Sequence, residues 1–193
     1  MTLTLDSLSR EFFAVLSQDE KYPEILDLIK QNSAGNIWII GGLVYKTIAG
    51  FLQGITPQIK DYDFVVEQSI PEIIVPKSWR VKPNSFGNLK FTNRKIGTKV
   101  DLVSLWRVYQ IYERGLEPEI SNFLSGVPFN IHSIAFNTTN LRIIGNIGIR
   151  ALEERVVRVY DSEMARLYAQ RYRTTVASLL HRKSEEIGFR VEL

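Results

Sequence analysis

The run Asp61-Tyr62-Asp63-Phe64-Val65-Val66 constrains this chain more than any other stretch. Its aromatic and β-branched content marks a strand, and a strand sends residues i and i+2 to one face. Asp61 and Asp63 therefore project together, with Tyr62 and Phe64 opposite. Two carboxylates side by side raise each other's pKa unless a cation lies between them. A third aspartate follows in Lys99-Val100-Asp101-Leu102-Val103, expected on a neighbouring strand. Clustered oxygen donors suit hard divalent ions such as Mg2+. Asp-x-Asp also occurs in solvated turns, but here Lys60-Asp61 opens an apolar strand.

A second feature points to phosphate. Asn36-Ile37-Trp38-Ile39-Ile40 reads as a buried strand ending at Gly41-Gly42, and Val44, Ile48 and Leu52 then recur with helical spacing. Strand, two glycines and helix place bare backbone N–H groups at a helix start, where phosphate binds readily. A glycine pair can also be only a tight turn; the aspartates favour the phosphate reading.

Helices are expected over 6–17, with Asp6 or Ser7 as N-cap, and from Pro23 to about Gln31. Pro71, Pro76 and Pro83 break the next stretch into short strands and loops. Residues 88–93 and 98–104 read as a hairpin. Helical stretches follow near 106–114 and 117–124, then a strand pair near 131–144 and a helical region from about Glu163 to Ile187. The fold class is α+β: a mixed, antiparallel-rich sheet with flanking helices. Residues 1–145 form the main domain, and 146–193 a helical extension expected to pack on it.

Composition narrows the chemistry. There is no cysteine, which excludes disulfides, thiolate metal sites and cysteine nucleophiles. The only histidines are His132 and His181, and His132, in an apolar segment, reads as packed rather than metal-ligating. No Walker loop is present, since Gly145-Asn146-Ile147-Gly148 lacks the following Lys-Ser/Thr. Met1-Thr2-Leu3-Thr4-Leu5-Asp6 lacks a signal-peptide pattern and no apolar run is long enough to span a bilayer, so a cytoplasmic protein without a membrane partner is expected.

Charge is uneven. Lys77, Arg80, Lys82, Lys90, Arg94, Lys95 and Lys99 fall in one stretch without a carboxylate, although the whole chain is only +3. Part of this block is expected at the rim of the acidic site, holding a triphosphate or a nucleic-acid backbone. The alternative is a lysine-guarded hairpin edge. Arg166, Arg171 and Arg173 alternate with Tyr168 and Tyr172, which reads first as a packed helix face and second as a stacking surface for bases.

Taken in order, Gly41-Gly42, Asp61-x-Asp63, Ser85-Phe86-Gly87, Asp101, Phe129-Asn130-Ile131-His132-Ser133-Ile134-Ala135, Ile149-Arg150-Ala151-Leu152 and Val156-Val157-Arg158-Val159 resemble the polymerase-beta-type nucleotidyltransferases. They are most similar to the head domain of CCA-adding enzymes and bacterial poly(A) polymerases. The departures are specific. The family's Gly-Gly-x-Val-Arg-Asp stands here as Gly41-Gly42-Leu43-Val44-Tyr45-Lys46, and its Arg-Arg-Asp triplet as Gly126-Val127-Pro128. His132 replaces the family's asparagine.

The resemblance implies transfer of a nucleoside monophosphate from an NTP, ATP foremost, to an acceptor hydroxyl with release of pyrophosphate. Asp61, Asp63 and Asp101 are the implied catalytic and metal-binding residues, holding two Mg2+ ions (Mn2+ as a substitute). Gly41, Gly42 and Lys46 are the implied nucleotide-binding residues. The acceptor is left open among an RNA 3′ end, a protein and a small molecule, and a protein partner is possible. The rival reading is a degenerate fold that binds nucleotide or a partner without transferring anything, for instance in a toxin–antitoxin or defence system.

Overall fold

Two strands form the centre of the computed structural model, which describes residues 4–55, 61–84 and 87–192. They are β1 (Ser33–Ile40) and β2 (Asp61–Ser69), paired antiparallel. Alternation sends Ile37, Ile39, Tyr62, Phe64 and Val66 to one face, all within 6% of full burial. Trp38 and Val65, partners in register, go to the other. Lys60, Ser85 and Phe86 from the motifs above lie outside the described residues.

The sheet grows outward from this pair. Strands β3 (Arg80–Pro83), β4 (Leu89–Asn93) and β5 (Thr98–Ser104) form a meander whose last strand joins β2. Strands β6 (Ala135–Asn137) and β7 (Arg142–Ile144) extend the other side. The order is β3-β4-β5-β2-β1-β6-β7. Only the β2–β5 pairing is parallel in this sheet; its other neighbours run antiparallel. This is the mixed, antiparallel-rich α+β class expected from the sequence.

One face carries the larger core. Helix α1 (Leu5–Gln18) contributes Phe12 and Leu16, α2 (Tyr22–Gln31) contributes Ile25 and Ile29, and α3 (Gly42–Gln53) contributes Val44 and Ile48. The cap of α1 is Thr4, whose side chain accepts from the Ser7 N–H at 3.2 Å, not Asp6 or Ser7 as expected. A threonine just before the apolar repeat satisfies the same free N–H group one step earlier. On the opposite face, α4 (Tyr109–Glu113) and α5 (Ile120–Ser125) cover Trp38 and Val65 with Val108, Ile111 and Leu124. The helix expected near 106–114 is divided, because a single 3₁₀ turn at Leu105–Arg107 precedes α4.

One further expectation is corrected. The strand expected to begin near residue 131 is replaced there by a 3₁₀ turn (Asn130–His132), and the strand starts only at Ala135. Asn130, fully buried, is the reason. Its Nδ2 donates to the Val156 carbonyl at 3.0 Å, while its Oδ1 accepts from Ile131 N at 2.9 Å and Arg158 N at 3.0 Å. A side chain that satisfies three backbone groups replaces a strand ladder locally. After it come α6 (Asn146–Glu154) and β8 (Val156–Val157). Gly148 lets α6 lie against the 130–133 turn, since a Cβ there would fall 2.6 Å from the Ser133 carbonyl oxygen.

The helical region expected from about Glu163 to Ile187 is present as two helices, α7 (Ser162–Arg171) and α8 (Val176–Glu185). Arg173 adopts φ 51 and Thr175 caps α8 by accepting from Ser178 N, so the chain turns between them. The turn folds Ala165, Ala169, Leu179 and Leu180 back onto the main core, and β9 (Arg190–Val191) closes against β8.

Replacing Asn130 by alanine leaves the buried Ile131 N–H, the part-buried Arg158 N–H and the buried Val156 carbonyl without their side-chain partner. Chemical denaturation should show a loss of at least about 2 kcal/mol. A loss below about 0.5 kcal/mol would mean that water takes over these bonds.

Candidate active site

The cleft forms where β1 ends. Gly41 takes φ 71 and ψ −148, a conformation closed to other residues at low cost, and turns the chain straight into α3. A Cβ at Gly41 would also lie 2.8 Å from Asp63 Oδ2, whereas one at Gly42 would meet nothing nearer than Lys46 Cε at 3.6 Å. The two glycines thus differ: Gly41 is required by the turn and by the carboxylate, while Gly42 has room. Both line a cleft of about 500 Å3 together with Leu43 at the start of α3.

The three aspartates stand in this cleft. Asp63 and Asp101 are register partners across the parallel β2–β5 pair, and Asp61 lies opposite Lys99 one step outward on the same face. Tyr62, on the other face, is buried and its hydroxyl donates to Asp19 Oδ2 at 2.6 Å, which anchors the strand. Asp61 is exposed; Asp63 and Asp101 are half-buried. Burial pushes the Asp63 carboxyl up to about 6, with the charges of Asp101 and then Asp61 adding to the rise. Asp101 is held on both oxygens: Asn84 Nδ2 donates to Oδ1 at 2.9 Å and Lys90 Nζ to Oδ2 at 3.1 Å. Lys90 is thus the member of the basic block that reaches the acidic site. Arg80, Lys82, Arg94, Lys95 and Lys99 stay exposed around the hairpin.

Lys46 also lines the cleft, but its ammonium is tied to Glu186 Oε2 at 2.9 Å. The same carboxylate accepts from Lys183 at 3.0 Å and from the Tyr45 hydroxyl at 3.0 Å. Although partial burial works the other way, the Lys46 and Lys183 ammonium groups hold Glu186 down at about 2. Tyr45 and Lys46 stand where the resembled family has its Arg-Asp pair. Neither Lys183 nor Glu186 was marked by the sequence, because a Lys-x-x-Glu spacing on a helix is an ordinary surface pair.

The remaining wall is aromatic. His132 packs between Tyr45 and Phe129, with ring centroids at 5.5 and 5.4 Å. Burial, followed by the nearby Lys183 charge, lowers its pKa to about 3, so the imidazole is neutral and does not act as a cation here. Tyr168 meets His132 edge-on at 6.1 Å and Tyr172 at 4.8 Å. The two tyrosines therefore pack on each other and also face the cleft. Arg114, paired with Asp161 at 2.7 Å and Glu163 at 3.1 Å, fixes the start of α7 and so the position of Tyr168.

The donor set is all oxygen and suits a hard cation. Asp63 and Asp101, partners in register, are the pair such an ion would serve, since it would offset the burial and repulsion that raise the Asp63 pKa. Among the described residues, however, no three His, Cys, Asp or Glu side chains converge as one metal-holding group. The three aspartates share a face and a cleft without sharing one tight cluster.

The raised Asp63 pKa fixes a pH dependence for the metal-free protein. A folded-state value of about 6 against the ordinary 3.8 means that the native state binds the proton more tightly. The stabilisation is present below pH 4 and lost as pH rises through 6. Asp63→Asn should therefore be more stable than the wild type at pH 7.5, by on the order of 3 kcal/mol, and not at pH 3.5. Denaturation curves in chelator at both pH values test this, and an equal difference at the two would refute it. In the same assay Gly41→Ala should destabilise by about 1–3 kcal/mol through backbone strain, and Gly42→Ala by much less.

No family model and no curated protein sequence matches the chain. Solved structures do. A CCA-adding enzyme in complex with CTP superposes with a TM-score of 0.59 at 18% identity, covering 95% of this chain and 43% of that one. The Thermotoga maritima CCA-adding enzyme complexed with tRNA gives 0.59 and 18%, covering 95% and 42%. The Bacillus stearothermophilus CCA-adding enzyme in complex with CTP gives 0.57 and 20%, covering 91% and 42%. The chain thus spans less than half the length of these proteins. At such identities the likeness establishes the fold: this chain has the polymerase-beta-type nucleotidyltransferase-like fold of their head region.

Proposed function

We propose that this protein is a metal-dependent nucleotidyltransferase, moving a nucleoside monophosphate from an NTP to an acceptor hydroxyl with release of pyrophosphate. The observation that supports this best is the register pair Asp63–Asp101 beside the Gly41 turn, in one cleft with the start of α3. The acceptor O–H attacks the α-phosphorus, the bond to the pyrophosphate oxygen breaks, and the proton leaves toward Asp101. Divalent cations held by Asp63 and Asp101, with Asp61 at the margin, would supply charge neutralisation and acidify the hydroxyl. The backbone N–H groups at Gly41 and Gly42 cradle phosphate oxygens, aided by the helix dipole. Lys46 lends positive charge to the same end. RNA is the acceptor class favoured by the fold's solved neighbours, one of which is bound to tRNA.

A second reading rests on specific contacts. Lys90 and Asn84 occupy both Asp101 oxygens, and Glu186 engages Lys46. A degenerate fold that binds nucleotide without transfer would show such an internally neutralised site. Incubation with each labelled NTP, Mg2+ and total RNA or lysate separates the two, since label in RNA, protein or a small molecule establishes transfer and names the acceptor. Retained binding without transfer supports the second reading.

Asp63→Asn and Asp101→Asn should abolish transfer while leaving the protein folded. Mg2+-NTP at about 100 times its Kd should stabilise the wild type by about 2.7 kcal/mol and Asp63→Asn far less. Equal stabilisation of both proteins would show that the carboxylate does not take part in binding.

A further inference from the structure

The start of α3 offers few cations to a phosphate chain. The arginine of the resembled motif is Tyr45 here, and Lys46, its side chain 45% exposed, is spent partly on Glu186. A second ammonium comes from the far end of the chain. Lys183 on α8 lines the same cleft as Gly41, Gly42 and Asp63, with its side chain only 14% exposed. Its Nζ donates to Tyr45 Oη at 3.2 Å and to Glu186 Oε1 and Oε2 at 3.2 and 3.0 Å. Two lysines therefore share one carboxylate beside the helix start, so Glu186 balances the charge of one of them and the other faces the cleft that Asp63 also lines. Burying an ammonium is costly, and an ion pair of this kind adds little to stability. The arrangement is well suited to receiving an anion.

Resting on the reading of the cleft as a nucleotide site, we propose that Lys183 grips the phosphate chain of the NTP, with Glu186 and Tyr45 as the positioning residues that aim it. An arriving phosphate oxygen takes one of the three contacts now shared by Glu186 and Tyr45, and the others keep the ammonium in place. The C-terminal helix thereby supplies a charge that the Gly-Gly motif lacks in this chain.

Calorimetric titration with magnesium tripolyphosphate, which has phosphates but no base or sugar, tests this directly. Lys183→Met should weaken binding about tenfold or more, and Lys183→Arg should restore most of it. Glu186→Gln removes the competing counter-charge and should bind tripolyphosphate more tightly than the wild type. If Lys183→Met binds as well as the wild type, or if Glu186→Gln weakens binding, the cluster is only a brace between α3 and α8 and the inference falls. Should Lys183→Met fail to fold, Glu186→Gln compared in a Lys46→Met background, where Lys183 is the ammonium left to be released from that carboxylate, carries the same decision. A wild type that transfers nucleotide while Lys183→Met binds tripolyphosphate normally overturns only this inference. A wild type that neither binds tripolyphosphate nor transfers overturns both readings.

Discussion

The parallel pairing of β2 with β5 governs the molecule's chemistry. It sets Asp63 directly across from Asp101 in an otherwise antiparallel sheet, where both line the cleft. Two carboxylates so placed oppose folding unless positive charge is near, and the protein supplies it from two sides. Lys90 approaches from the adjoining strand β4, and Lys183 comes from α8, each lowering the Asp63 pKa against the larger effect of burial.

The same constraint explains how the helices are distributed. Below the aspartates, α4 and α5 seal Trp38 and Val65 with apolar side chains. The cleft beside them is bordered by the start of α3, by Phe123 of α5, by the 130–132 turn and by the two C-terminal helices. Asn130 holds that turn to residues 156–158, and Arg114 holds the beginning of α7. The tyrosine wall and the Lys183–Glu186 pair are thus placed by polar anchors lying outside the cleft. Seven of the cleft's seventeen lining residues lie beyond position 120, far in sequence from Asp61 and Asp63.

Much of this was legible in the chain. The i, i+2 aspartates, the buried strand before Gly41-Gly42, the helix behind it and the 88–104 hairpin all follow from local periodicity, and local periodicity is what the backbone obeys there. The errors occurred where a side chain overrode the pattern. Asn130 satisfies three backbone groups and turns an apparent strand into a 3₁₀ turn. Thr175 caps a new helix inside a stretch that reads as helical by pattern, so the one region becomes two helices. Such bonds join groups that periodicity treats as independent.

The sequence by itself determined which residues carry charge and which face of each strand they occupy, because alternation along a strand is a property of the backbone alone. It placed Asp61, Asp63 and Asp101 on strands, Gly41 at a turn and Lys90 on the hairpin. Only the tertiary structure decided which strand lies beside which, and so which aspartate meets which. It alone brought Glu186 to Lys46 and set Lys183 beside Tyr45, across more than 130 residues of chain. Those contacts depend on where the two C-terminal helices dock, and docking is settled by the summed burial of many apolar side chains rather than by any local pattern.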